Sequence, residues 1–203
     1  MPAFAFPDLR PSAAEWSLRA HTQQSVSPLT RATQTVELPG AVWTASLSFE
    51  RLSEDQWRRL EVWAARMRGA AGRVYLGPVH AAVPRGVATG APRVAAASTG
   101  TTLRSSGWTV STAGILRAGD YLCYDAGASR QLHLVTADAA SDAAGVATLA
   151  VEPPIRASPP VGAVITIRSP TCIMRLIDDD QTRLRLTPPV RGAVTLQLVE
   201  ALT

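Results

Sequence analysis

The chain has 203 residues and a mass of 21.5 kDa, enough for one large domain or two small ones. Its 46% hydrophobic content supports a core and excludes wholesale disorder, and no apolar run approaches the roughly 18 residues of a membrane span. The net charge of +4 rests wholly on arginine: all 20 Lys+Arg positions are Arg, scattered from Arg10 to Arg191 without a basic stripe beside stacking aromatics, which argues against a nucleic-acid binder.

The opening MPAFAFPDLRP has neither a basic n-region nor an apolar h-region, so it does not read as a secretion signal. Synthesis in a cytosol and no membrane insertion are expected. WSLRAHTQQSV reads as a strand with Trp16, Leu18 and Ala20 on one face and Ser17, Arg19 and His21 on the other. SPLTR is a turn, ATQTVEL a second strand, and AVWTASLSF a third, in which Trp43, Ala45, Leu47 and Phe49 alternate with Thr44, Ser46 and Ser48.

SEDQWRRLEVWAARMRG predicts a helix over residues 53–69. Ser53 and Gln56 have capping-box spacing, Trp57, Leu60, Trp63, Ala64 and Met67 form one apolar stripe, and Gly69 supplies a stop. Such a stripe is expected to pack on a sheet. Arg58, Arg59, Arg66 and Arg68 share the helix with Glu54, Asp55 and Glu61, which suits a solvated face or a subunit contact.

GRVYLG is a further strand. Residues 78–107 are rich in Pro, Gly, Ala, Ser and Thr and read as a long connection with one short strand at most. From Trp108 the strand signals return in ILRAGDYLCYD, RQLHLVTA, GVATLAVEPPIR and GAVITIRSP, separated by turn-prone pieces. Near the end, Cys172, Met174 and Leu176 share one face, Leu184 and Leu186 belong to a second strand, and Val194, Leu196 and Leu198 to a third. Asp178, Asp179 and Asp180 fall between two of these strands and read as a solvated turn, since their spacing does not match a calcium loop.

The architecture that follows is mainly β. Residues 1–80 and 170–203 form one β-sandwich domain carrying the helix, and residues 84–168 form an inserted small β-barrel or sandwich module. Two consecutive domains are the alternative.

Chemistry is sparse. Cys123 and Cys172 lie in apolar, alternating surroundings and read as buried thiols. His21, His80 and His133 show no metal-ligand spacing, and no nucleophile elbow, phosphate loop or dinucleotide fingerprint is present. His133 in the alternating strand QLHLVTA could meet Asp120 or Asp138, but such pairings can be assembled on paper from almost any sequence of this size. No catalytic, cofactor-binding or metal-ligating residue is assigned, and the chain reads as a structural component rather than an enzyme.

One resemblance adds to this reading. WSL, SPLTRATQTVELPGAVWTASLSFERLSEDQWRRLEVWAARMRGAAGRVYL and the LRAGDYLCYD…LHLVTADAASDAAGVATLAVEPPIR module resemble the distal tail proteins of long-tailed phages and prophages. In that family a QT strand, a P-G-x-x-W strand, a helix and an R-G-x-x-G strand recur. The resemblance implies a tail-tube-like β-sandwich with a flanking helix and a homo-oligomeric ring, usually hexameric. Such a ring joins the tail tube to the baseplate hub, with DNA only as cargo in the channel. It also implies a peripheral β module, assembly in the bacterial host cytoplasm and residence at the tail tip of the virion. The positive net charge departs from the acidic lumen common in such tubes. Of Trp16, Trp43, Trp57 and Trp63, most are expected in the core. Trp16 and Trp43, with Arg58, Arg59 and Arg66, are the subunit-contact candidates. Other tail rings, such as a terminator or a hub-associated protein, are close neighbours of this reading. A carbohydrate-binding adaptor using Trp108, Tyr121 and Tyr124 is the alternative from another class.

Overall fold

The computed structural model describes residues 3–126, 129–182, 185–187 and 191–202, and among these the fold is mainly β with one α-helix. The first part of the chain gives β1 (Phe4–Ala5), β2 (Ala13–Arg19), β3 (Thr22–Val26), β4 (Thr33–Glu37), β5 (Val42–Leu52), helix α1 (Glu54–Met67) and β6 (Val74–Leu76). The middle gives β7 (Gly90–Val94), β8 (Gly100–Trp108), β9 (Tyr121–Ala126), β10 (Ser129–Val135) and β11 (Ala147–Ile155). The last part gives β12 (Cys172–Leu176), β13 (Arg185–Thr187) and β14 (Arg191–Glu200). Leu184 lies outside the described residues.

Strands from both ends of the sequence share a 7-stranded sheet in the order β1-β6-β12-β14-β5-β2, with β13 also on β14. The alternation of β5 sets its register. Trp43, Ala45, Leu47 and Phe49 are buried, and Leu47 and Ala45 sit opposite Leu196 and Leu198 of β14, so both strands send their large side chains to one face.

Helix α1 covers that face. Ser53 and Gln56 make both bonds of the capping box, and Trp57, Leu60, Trp63 and Met67 are buried. The helix stops earlier than expected: Arg68, rather than a glycine, adopts the left-handed capping conformation with φ 49°, and Gly69 begins a short 3-10 turn. The Trp57 ring lies over Gly192 so closely that a Cβ there would come 2.1 Å from a ring carbon. Asp179 of the acidic triplet accepts a hydrogen bond from the Ala70 amide at 2.7 Å. The turn after β12 is thereby tied to the end of the helix.

The middle strands form a 5-stranded sheet in the order β7-β8-β11-β10-β9, curled into a half-barrel. Residues 78–107 contribute two strands to it, where one at most was expected. Small inward residues hid β8: Ser105 is buried, donates to the Ala147 carbonyl and receives the Trp108 indole N–H. GAVITIRSP is correspondingly not an independent strand. Its backbone straps both edges of the curled sheet, with Ile165 N bonded to Pro92 O on the β7 side and Thr166 and Cys123 exchanging bonds on the β9 side.

The two sheets share apolar packing. Tyr121, Cys123 and Leu132 of β9 and β10 belong to the same buried cluster as Trp43, Leu47 and Met174. A second cluster around Leu103, Leu122 and Leu149 fills the curled sheet. No helix among the described residues is long and apolar enough to cross a membrane.

Candidate assembly surface

Two polar contacts fasten the curled sheet to the larger one. The Trp43 indole N–H donates to the Leu132 carbonyl at 2.9 Å, and the buried Glu200 carboxylate receives both the Trp43 amide at 3.1 Å and the Arg156 guanidinium. Arg156 also donates to the Ala41 carbonyl at 3.2 Å. The Gln131 amide oxygen accepts from Arg156 N, and its NH2 donates to the Ala157 carbonyl. These groups pair one another completely enough to be a joint rather than a site.

His133 belongs to the same region. Its Nδ1 lies 2.8 Å from the Pro153 carbonyl, which can only accept, so Nδ1 carries the proton and Nε2 accepts from the Tyr124 hydroxyl at 2.9 Å. Burial lowers the His133 pKa to about 4, opposed by the Pro153 bond and helped by the Arg156 charge. Burial likewise pushes the Tyr124 phenol up. The acids considered for His133 are engaged elsewhere. Asp120 receives the amides of Arg85, Gly86 and Arg117, and Asp138 that of Ala118. Cys123 and Cys172 are buried free thiols, both raised above the ordinary thiol pKa chiefly by burial. Among the described residues no three His, Cys, Asp or Glu side chains converge as metal ligands.

The exposed feature of the fold is a hairpin. WSLRAHTQQSV does not continue as one strand: β2 ends at Arg19 and β3 leaves the large sheet and, among the described residues, pairs only with β4. All ten residues of β3 and β4 are exposed. The register explains why. Gln24 faces Thr35 and Val26 faces Thr33 on one side, while Gln23 faces Val36 and Ser25 faces Gln34 on the other. Each face has one valine among polar neighbours, so neither can seat on a core. The tip is ordered by Ser27, whose amide donates to Ala32 O and whose carbonyl accepts from Arg31 N, and it presents Leu29 at 93% exposure. At the base, Leu38 N donates to His21 O and His21 Nδ1 donates to Pro39 O at 3.1 Å.

A two-stranded hairpin without a covered face is marginal by itself in water. Its strands also carry none of the usual guards against edge pairing: no Pro, no Arg, and Glu37 as the sole charge. Beside it, β2 pairs among the described residues on one side only, with β5. The outward face of this end of the sheet is hydroxyl-rich over Ser17, Thr44, Ser46, Ser48 and Thr195, with Glu15 and Arg19 of β2 as its exposed charges. Hydroxyl pairs tie it laterally: Ser17 to Thr44 at 2.7 Å and Ser48 to Thr195 at 3.1 Å.

The contact candidates fare differently. Trp43 is 2% exposed and fully used inside the chain, so it has no surface to offer a neighbour. Trp16 is half-buried on the edge strand, stacked on Trp43 at 5.7 Å, with its indole N–H enclosed and lacking an acceptor. Arg58 and Arg59 are exposed and pair with Glu54 and Asp55 one helical turn back, at 2.6 and 2.8 Å. Arg66 lies over the Phe4 ring at 4.6 Å. Trp108, Tyr121 and Tyr124 are all buried, so they are core rings and not a platform for sugars. The hairpin tip was missed as a candidate, although the absence of an apolar face in TQQSV and TQTVE was readable in the sequence. No protein-family model matches the chain, and no curated protein matches it significantly in sequence.

Proposed function

We propose that this chain is a structural component of a phage tail tip, a homo-oligomeric ring subunit like the distal tail proteins it resembles. In that role a ring, hexameric by analogy, links the tail tube to the baseplate hub and other tail-tip proteins while DNA passes through as cargo. Its chemistry is assembly, not turnover. Subunits fold in the host cytoplasm and are carried in the virion.

The observation that carries this reading is the β3–β4 arm, with ten strand residues exposed and no core of its own. A hairpin of this kind gains its stability when a neighbour covers it, and a contact repeated around an axis satisfies every copy. Two features give further support. The edge strand β2 leaves backbone donors and acceptors open beside the arm, and the adjoining outer face is hydroxyl-rich.

Replacing residues 22–37 by a short Gly-Ser linker tests the reading. The rest of the fold makes no core contact with the arm, so the variant is expected to keep its circular dichroism and melting behaviour while losing self-association. A variant that assembles as the full chain does would remove the support the arm gives.

A further inference from the structure

The arm has a counterpart on the same molecule. A groove of about 670 Å³ runs beside its base, between the stretch leading into β5 and the end of β11. Leu38, Pro39, Pro153, Pro154, Ile155 and Leu202 make its walls largely apolar. Two carboxylates belong to the same region. Glu37 lies at the foot of β4, and Glu152 is close enough to feel its charge: the Glu152 carboxyl is raised, first by partial burial and then by Glu37. The guanidinium of Arg156 in this groove is already taken by Glu200. The groove therefore offers an apolar slot beside Glu37, with Glu152 near it, and neither carboxylate has an ion pair among the described residues.

The arm tip has the matching chemistry. Leu29 is almost wholly exposed, and Arg31, two residues on, is an exposed cation. The tip cannot enter its own groove. Five-residue strands hold it about 17 Å from the base where the groove begins.

We propose that the groove is filled by the arm tip of a second copy of this chain, Leu29 entering the apolar slot and Arg31 meeting Glu37 and Glu152. The contact is heterologous, tip to groove, so every subunit gives one tip and receives one. That arrangement closes into a ring or continues as a filament according to the rotation between neighbours. This inference rests on the ring-subunit reading and specifies its contact. Burial of one leucine provides the apolar anchor, and the charge pairing sets its direction.

Disulfide trapping in the full chain tests it. Cys123 and Cys172 are buried, so the unmodified protein is a clean background. Under mild oxidation the double variant Leu29→Cys/Leu202→Cys is expected to give a covalent ladder joined through positions 29 and 202. A mixture of the two single variants is expected to give a dimer only. Arg31→Glu should weaken self-association at least about tenfold, and adding Glu37→Arg should restore much of it. Tip-to-tip dimers from Leu29→Cys alone would overturn the heterologous geometry. Rings seen by imaging without any 29–202 cross-link would overturn the tip-in-groove contact and leave the ring reading standing. A protein that stays monomeric at all concentrations and never cross-links would overturn both.

Discussion

Replacing Glu200 with Ala removes the carboxylate on which the two sheets converge. The Trp43 amide then faces a buried space without its acceptor, a loss of about 1–3 kcal/mol. Arg156 loses its partner as well, but its side chain is 24% exposed, so water recovers much of that pair and about 1 kcal/mol is charged to it. The single variant should therefore lose about 2–4 kcal/mol. Arg156→Ala leaves Glu200 buried with its charge uncompensated and also frees the Ala41 carbonyl, for a loss of similar size. Urea unfolding of both single variants and the double variant gives the coupling directly. About 1–3 kcal/mol is expected. Coupling under about 0.5 kcal/mol would show that Arg156 and Glu200 act independently and that their ion pair does not hold the joint.

Three further expectations follow from the buried rings. His133 binds its proton less well folded, at about 4, than unfolded, near 6.5, so between those values the unfolded state holds more protons and stability rises with pH. The contribution is complete above about pH 6.5, reaches about 3 kcal/mol, and is lost as pH falls toward 4. The difference between wild type and His133→Gln in urea melts across pH 4–7 isolates it from carboxylates such as Glu152, and a pH-independent difference would contradict the buried neutral ring. Gly192→Ala drives a methyl into Trp57 and should cost about 1–3 kcal/mol, less when Trp57→Leu makes room. Equal costs in both backgrounds would refute that contact. Trp63→Ala should cost about 3–5 kcal/mol, because the ring packs on Phe6 with centroids 5.0 Å apart. Trp63→Phe should cost far less, since it deletes an enclosed indole N–H that has no acceptor, and equal losses would show that this N–H is satisfied in solution.

Much of the large sheet was legible because its strands are patterned by one dominant face. Trp43 to Phe49 and Val194 to Leu198 alternate strictly, and the helix carries both its cap and its stripe. The curled sheet was read less well. Ser105 and Gly107 occupy inward or close-approach positions in β8, and small residues there carry no period-two signal. GAVITIRSP has the composition of a strand, but it divides its pairing between the free edges of β7 and β9, with a single bridge to each, so it acts as a strap. The anchoring of the Trp43 indole was not readable, since its partner carbonyl belongs to Leu132, 89 residues away. For the arm, the two segments were read as strands with no cover assigned to them, and the valines at 26 and 36 fall on opposite faces of the hairpin. That neither strand has an apolar face was readable, but which face each valine takes was set by pairing register, which local sequence does not determine. The groove was invisible for the same reason. It joins residues 37–41 to residues 153–156 and Leu202, which only the finished fold brings together.

The central claim is that this chain is a ring subunit, and the most direct test is its mass and shape in solution. Light scattering over a concentration series, with negative-stain imaging of the same samples, is expected to show a closed oligomer with a central hole. Monomers at every concentration, or compact dimers without a hole, would contradict it.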